Sequence, residues 1–178
     1  DSILGLLDKS NEDVLNENSN KNGQLASTQR DLMAGEVSKD IARRKLIPAH
    51  IVQAHDEGVL HYHDMDYAIQ PIHNCMLINL EDMLTNGTVI NNKLVESPKS
   101  FATACTVTTQ IIAQIASGQY GGNSITIKHI APFLRVSYNK YFEKYKEKYS
   151  LEMAHELAED RMLEELKSGI QTIRYQLS

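Results

Sequence analysis

The chain has 178 residues, and 18 Lys+Arg against 23 Asp+Glu leave a formal charge of −5. That length suits one domain or a piece of a larger one, and 42% apolar with 23% charged residues is ordinary for a globular chain, which excludes wholesale disorder. The acidic balance argues against a dedicated nucleic-acid binder, and two cysteines, Cys75 and Cys105, are too few for a disulfide framework or a four-thiolate zinc site. In chain order, Ser10 to Leu15 reads as a short capped helix, and the Asn-rich run 16–24, closed by Gly23 and Gln24, as a loop. From Ser27, the apolar positions Leu32, Val37 and Ile41 recur at helical spacing, with Ser27 or Thr28 as N-cap and Arg43, Arg44 and Lys45 at the C-terminal end. Pro48 ends this helix and opens another, Pro48 to Glu57, closed by Gly58.

Val59 to His63 and Asn74 to Leu80 are short and β-prone, and both are expected as strands, the second buried. Residues 81–97 read as a short helix, an Asn86-Gly87 turn and an irregular approach to Pro98. A long helix follows from Pro98 to about Gly118, with Pro at its first position and apolar residues nearly all round, as expected of a buried element. Gln119 to Asn123 form a break. Two more helices are expected, over about 125–148 with Pro132 starting its regular part, and over 151–177. Domain boundaries read as an N-terminal segment, 1–26, and a main body, 27–178. Two or three strands cannot close a sheet and the last helix carries no stop signal, so the chain reads as a piece of a longer α/β protein, mostly helical here. No secretory signal and no membrane-length apolar run is visible; the most apolar stretch, Ile111 to Ala116, is broken by Gln114, so a cytoplasmic, reducing setting is expected.

The densest cluster of ionisable groups is His61-Tyr62-His63-Asp64-Met65-Asp66-Tyr67. On a strand His61 and His63 would share a face, a spacing that a two-histidine metal site can use, but no third ligand is evident and no metal is assigned. The plainer reading is two imidazoles bonded to neighbouring backbone, with a polar role in a pocket as the functional alternative. Cys75, preceded by His73 and Asn74, is either a small core hydrophobe or a reactive thiol with polar neighbours. Cys105, among Ala, Thr and Val, is expected to pack. Glu96-Ser97-Pro98-Lys99-Ser100 opens the long helix, where free amides and Lys99 could attract a phosphate; an ordinary capped start is the simpler account.

Six segments in this order resemble one family. They are Thr28-Gln29-Arg30-Asp31-Leu32, His61 to Tyr67, Asn74-Cys75-Met76-Leu77-Ile78, Ser97-Pro98-Lys99-Ser100, Thr108 to Gln114, and Gln119-Tyr120-Gly121-Gly122. Together they resemble the large catalytic subunit of the anaerobic (class III) ribonucleoside-triphosphate reductases, from about residue 14 onward. The resemblance implies part of a ten-stranded α/β barrel. It implies reduction of ribonucleoside triphosphates by glycyl and thiyl radical chemistry, with formate as reductant and activation by a radical S-adenosylmethionine activase. Cys75 resembles the family's hydrogen-donating cysteine on the first barrel strand; His61 resembles a histidine of the substrate and formate pocket, with His63 and Asn74 as neighbours. Glu96 and Lys99, with Gln110 and Lys140, resemble contacts to a deoxynucleoside triphosphate effector. That effector would sit at a homodimer interface built from helices 98–118 and 125–148. The family's thiyl cysteine, glycyl-radical loop and structural zinc motif lie further along the family sequence and are not in this chain, which is expected to be inactive alone. Two rivals stand beside this reading: a formate-lyase-type glycyl-radical relative, and a helical dimerisation or binding module in which Cys75 only packs.

Overall fold

The computed structural model describes residues 2–10, 12 and 22–177. The helix expected over Ser10 to Leu15 and most of the Asn-rich loop lie outside the described residues. Two units divide the chain, one ending at His73 and one beginning at Asn74.

The first unit holds α1 (Ser2–Leu7), α2 (Ala26–Ile41) and α3 (Ala49–Asp56). α2 is capped by Leu25 backbone rather than by Ser27 or Thr28, and it runs on through a π turn, Ala42–Leu46, that carries the expected basic residues. Pro48 occupies the cap of α3 and Gly58, at φ +72°, closes it. The small core is Ala42, Ile47 and Met65, with Ile51, Val52, Tyr62 and Ala68 against it. Arg43 clamps Asp56 through Nη2, at 2.8 Å and 2.5 Å from the two carboxylate oxygens.

Val59 to His63 do not form the expected strand. Their amides are used locally: those of Val59 and Leu60 donate to the Ala54 carbonyl at 2.9 and 3.3 Å, and that of Tyr62 to His55 Nδ1 at 3.2 Å. With the backbone turned onto α3, the β propensity of the side chains has no ladder to join. A 3₁₀ turn, Met65–Tyr67, follows and packs on α2.

The second unit is built around α5 (Phe101–Ala116), with β1 (Met76–Leu77), α4 (Leu80–Thr85), β2 (Thr88–Ile90) and β3 (Lys93–Val95) before it. After it come β4 (Asn123–Ser124), a 3₁₀ turn, α6 (Pro132–Lys146) and α7 (Leu151–Gln176). β1 pairs in parallel with β4, Met76 opposite Asn123 and Leu77 opposite Ser124, so α5 lies within the crossover between two neighbouring strands. The strand expected over Asn74 to Leu80 is therefore two residues long, and it is not buried: Leu77 is 80% exposed, and Ile78 and Leu80, which join the core, lie past it.

Residues 88–95, expected to be irregular, form an antiparallel hairpin. Asn91 and Asn92 sit at φ +50° and +60°, the two left-handed positions of a type I′ turn, which asparagine tolerates. Gly87, at φ +85°, approaches the Val95 carbonyl so closely that a Cβ would lie 2.8 Å from it.

Leu80, Leu84, Phe101, Ala104, Cys105, Ile111, Ile130 and Phe133 form the centre of the larger core. α7 packs against α5 and α6, and its buried positions are the small residues Ala154, Ala158 and Gly169, which let the helix backbones approach. Pro132 begins α6 and Ser150 caps α7, accepting from the Met153 amide at 3.4 Å. α5 begins later than expected, because Ser100 and not Pro98 is its cap: Ser100 Oγ accepts from the Thr103 amide at 3.2 Å. Its apolar residues are buried inside the unit, and its exposed face (Ala102, Thr103, Thr106, Gln110, Ala113, Gln114) is small and polar rather than broadly apolar. Among the described residues the strands form two two-stranded sheets, β1–β4 and β2–β3.

Candidate functional site

Asn74 and Cys75 lead into β1. Cys75 is exposed, against the expectation of a buried strand, and its thiol donates to Asn74 Oδ1 across 3.4 Å. An amide oxygen accepts this hydrogen but, being uncharged and very weakly basic, does not remove it. β1 is held to the segment after α5 by the Met76 amide on the Gly122 carbonyl, 3.2 Å, and the Ile78 amide on the Ser124 carbonyl, 2.9 Å. Just ahead of those anchors Gly121 lies against Asn74: a Cβ there would stand 2.1 Å from Asn74 Oδ1 and 2.2 Å from its carbonyl oxygen. Gln119, 8% exposed, donates from Nε2 to the Gly121 carbonyl at 2.8 Å. The expected break at 119–123 is thus a close approach to protein, not an open glycine loop.

His61 and His63 come together with a third ring that sequence reasoning did not single out. The His61 centroid is 5.5 Å from that of His55 and 5.8 Å from that of His63, the latter edge-on. His63 Nδ1 lies 2.8 Å from Asp64 Oδ2. Spacing along the chain hides His55, because α3 and the turn after it, not a strand, bring it alongside. Among the described residues, no group of three or more His, Cys, Asp or Glu side chains is placed to hold a metal ion.

The start of α5 is already satisfied from within. The Phe101 amide donates to Ser137 Oγ and the Ala102 amide to Glu165 Oε1, both at 2.8 Å, and the Thr103 amide to its cap. The helix amides that could have attracted a phosphate are therefore taken, as in an ordinary capped start, and a carboxylate already sits at the positive end of the dipole. Lys99 and Glu96 are exposed on either side of buried Pro98. Gln110 lies on the exposed face of α5, about 14 Å along the axis from Phe101, and Lys140 is exposed on α6. An anion at Lys99 would meet a point charge rather than a helix terminus.

Cys105 is fully buried, as expected. Burial, and then the Glu165 charge, push its thiol up to about 11. Tyr141 is also raised, by burial first and then by Glu165. This pairing of chemistries separates the two thiols: one is accessible beside an amide, the other protonated and packed.

A family model described as "Anaerobic ribonucleoside-triphosphate reductase" matches residues 17–178. The anaerobic ribonucleoside-triphosphate reductase of Escherichia coli (strain K12) is 45% identical over 99% of this chain, which is 25% of that protein. Those of Haemophilus influenzae (strain ATCC 51907 / DSM 11121 / KW20 / Rd) and Enterobacteria phage T4 are 46% and 45% identical over 79% of this chain, covering 20% and 24% of theirs. The chain spans about a quarter of the length of the curated relatives it matches. No helix among the described residues is long and apolar enough to cross a membrane.

Proposed function

Because the chain belongs to the anaerobic ribonucleoside-triphosphate reductase family, we propose that it is the segment of such an enzyme that carries the hydrogen-donating cysteine and the effector contacts. The observation that carries this reading is the identity of 45% over 99% of the chain, which takes in Asn74-Cys75 and Ser97 to Ser100. In the reaction proposed for the whole enzyme, the 2′ hydroxyl of a ribonucleoside triphosphate leaves as water, hydrogen takes its place, and formate is oxidised to carbon dioxide. A glycyl radical, raised by the activase in a part of the family sequence outside this chain, supplies the radical that opens the substrate to this exchange.

The role proposed for Cys75 is to give a hydrogen atom to the substrate carbon radical: the S–H bond breaks homolytically, a C–H bond forms, and the sulfur keeps one unpaired electron. An exposed thiol that keeps its hydrogen on an amide oxygen supports that role. His61, with His63 beside it, is assigned to binding the substrate or formate, and its accessible imidazole can donate or accept there. Asn74 is assigned to the same pocket through its contact with the thiol. Glu96, Lys99, Gln110 and Lys140 are assigned to a deoxynucleoside triphosphate at a homodimer interface, for which the small, polar outer face of α5 would permit close helix approach. The barrel, the cytoplasmic setting and the activase as partner belong to the same reading.

The test uses the intact enzyme, activated without oxygen and supplied with formate and a ribonucleoside triphosphate. Formation of the deoxynucleotide is expected, with thermal stabilisation by one or two deoxynucleoside triphosphates that is lost in Lys99→Ala. Ligand at one hundred times its Kd stabilises by about 2.7 kcal/mol, which a melting curve resolves. A formate-lyase-type enzyme would form no deoxynucleotide and show no such response.

A further inference from the structure

We infer that Gly121 is a positioning residue for Cys75: its missing side chain is the space in which Asn74, the acceptor of the Cys75 thiol, is seated. The inference rests on the reading of Cys75 as the hydrogen donor and adds the element that aims it. Three observations carry it. The first is the shape of the contact, in which both the carbonyl oxygen and the side-chain oxygen of Asn74 point at the Gly121 Cα, within 2.2 Å of where a Cβ would be. Backbone conformation does not demand glycine there, since the positive-φ glycines are Gly58 and Gly87; only space does.

The second is that Asn74 Oδ1 is the same atom that accepts from Cys75 Sγ at 3.4 Å, so a shift of that oxygen is a shift of the S–H direction. The third is that the Gly121 segment is fixed from behind. Gln119, nine-tenths buried, holds the Gly121 carbonyl at 2.8 Å, and the Gly122 carbonyl receives the Met76 amide immediately after Cys75. The cysteine is thereby located by the residue before it and the residue after it, packed and bonded onto the adjacent Gly121 and Gly122.

Adding a methyl at Gly121 requires Asn74 to retreat by about 1 Å, and a misplacement of about 1 Å in a reacting group can cost about 10²-fold in rate. Hydrogen-atom transfer is short-range, so the loss falls on the chemical step while nucleotide binding, which uses other groups, is spared.

The experiment compares Gly121→Ala, Gln119→Ala, Cys75→Ser and the control Gly118→Ala, where an added Cβ meets nothing closer than 3.8 Å, all in the intact activated enzyme. Turnover with a ribonucleoside triphosphate is measured beside the rate at which iodoacetamide modifies Cys75, mapped by peptide mass spectrometry. For Gly121→Ala, kcat is expected to fall at least tenfold with KM within twofold and unchanged glycyl radical content, and the Cys75 alkylation rate to change severalfold. Gln119→Ala adds no volume and removes the tether on the Gly121 carbonyl; it is expected to move both quantities the same way, so the inference stays testable if Gly121→Ala does not fold. Gly118→Ala should match the parent. Parental kcat and alkylation rate in Gly121→Ala, or in Gln119→Ala when Gly121→Ala is insoluble, with Cys75→Ser inactive, would overturn the positioning role and leave the hydrogen-donor reading intact. Altered alkylation with Cys75→Ser still turning over would sink the hydrogen-donor reading and the positioning role with it.

Discussion

Gly169 offers a sharp quantitative test of the packing that holds α5 to α7. A Cβ at this position would lie 2.7 and 2.9 Å from ring carbons of Phe101 and 2.8 Å from Cys105 Sγ. Both neighbours are buried, at 2% and 0% exposure, so neither can swing into solvent to make room. Overpacking of this kind costs about 1–3 kcal/mol. Against it, alanine is better than glycine inside a helix by about 1 kcal/mol, and Gly169 is well inside α7. Gly169→Ala is therefore expected to destabilise by up to about 2 kcal/mol, or roughly 4–8 °C in Tm for a chain of this size. Urea unfolding followed by circular dichroism should show a lower midpoint with an unchanged slope. Cys105→Ala shrinks one of the two obstacles, so adding Gly169→Ala in that background should cost less than it does alone, a coupling that a double-mutant cycle reads directly. If Gly169→Ala is as stable as the parent or more so, helix propensity has outweighed the contact and the packing argument is wrong.

Glu165 gives a second test: Glu165→Gln keeps an oxygen for the Ala102 amide and should cost little, whereas Glu165→Ala removes that acceptor and should cost about 1 kcal/mol in the same unfolding assay. The Cys105 thiol, pushed up to about 11 by burial and then by Glu165, binds its proton more tightly folded than unfolded. Its contribution to stability is therefore complete below about pH 9 and lost as pH rises toward 11, where the unfolded chain has already released the proton. Tyr141, raised for the same reasons, acts with the same sign, so Cys105→Ala should flatten the alkaline loss of stability in part and not abolish it. In the native state iodoacetamide should modify Cys75 and spare Cys105 until denaturant is added.

How much was legible in the sequence follows from the range of the interactions concerned. The helices over 132–146 and 151–176 declare themselves, because Pro132 and Ser150 act within one turn of their starts. The amides at the start of α5 do not, since their partners Ser137 and Glu165 are 36 and 63 residues away along the chain from the residues they serve. Val59 to His63 have strand-forming side chains but backbone bonds back to α3, and nothing local distinguishes those two outcomes. The hairpin at 88–95 is encoded locally: Asn91-Asn92 between Thr-Val-Ile and Lys-Leu-Val is a two-residue turn signal that the nearby Pro98 masks. Cys75 and Asn74 could be picked out as a polar start to an apolar run, yet exposure depends on how many strands pair alongside, which a seven-residue segment cannot encode. Gly121 looked like a helix break, and only the fold reveals that its missing Cβ is occupied by Asn74.

The most direct test of the central claim is turnover by Cys75→Ser in the intact, activated enzyme, with the glycyl radical quantified by electron paramagnetic resonance in the same sample. Serine preserves size and hydrogen bonding to Asn74, but its O–H bond is far too strong to yield a hydrogen atom. A normal radical signal with no deoxynucleotide formed is expected. A normal signal with substantial deoxynucleotide formation would show that Cys75 does no more than pack, and would contradict the claim.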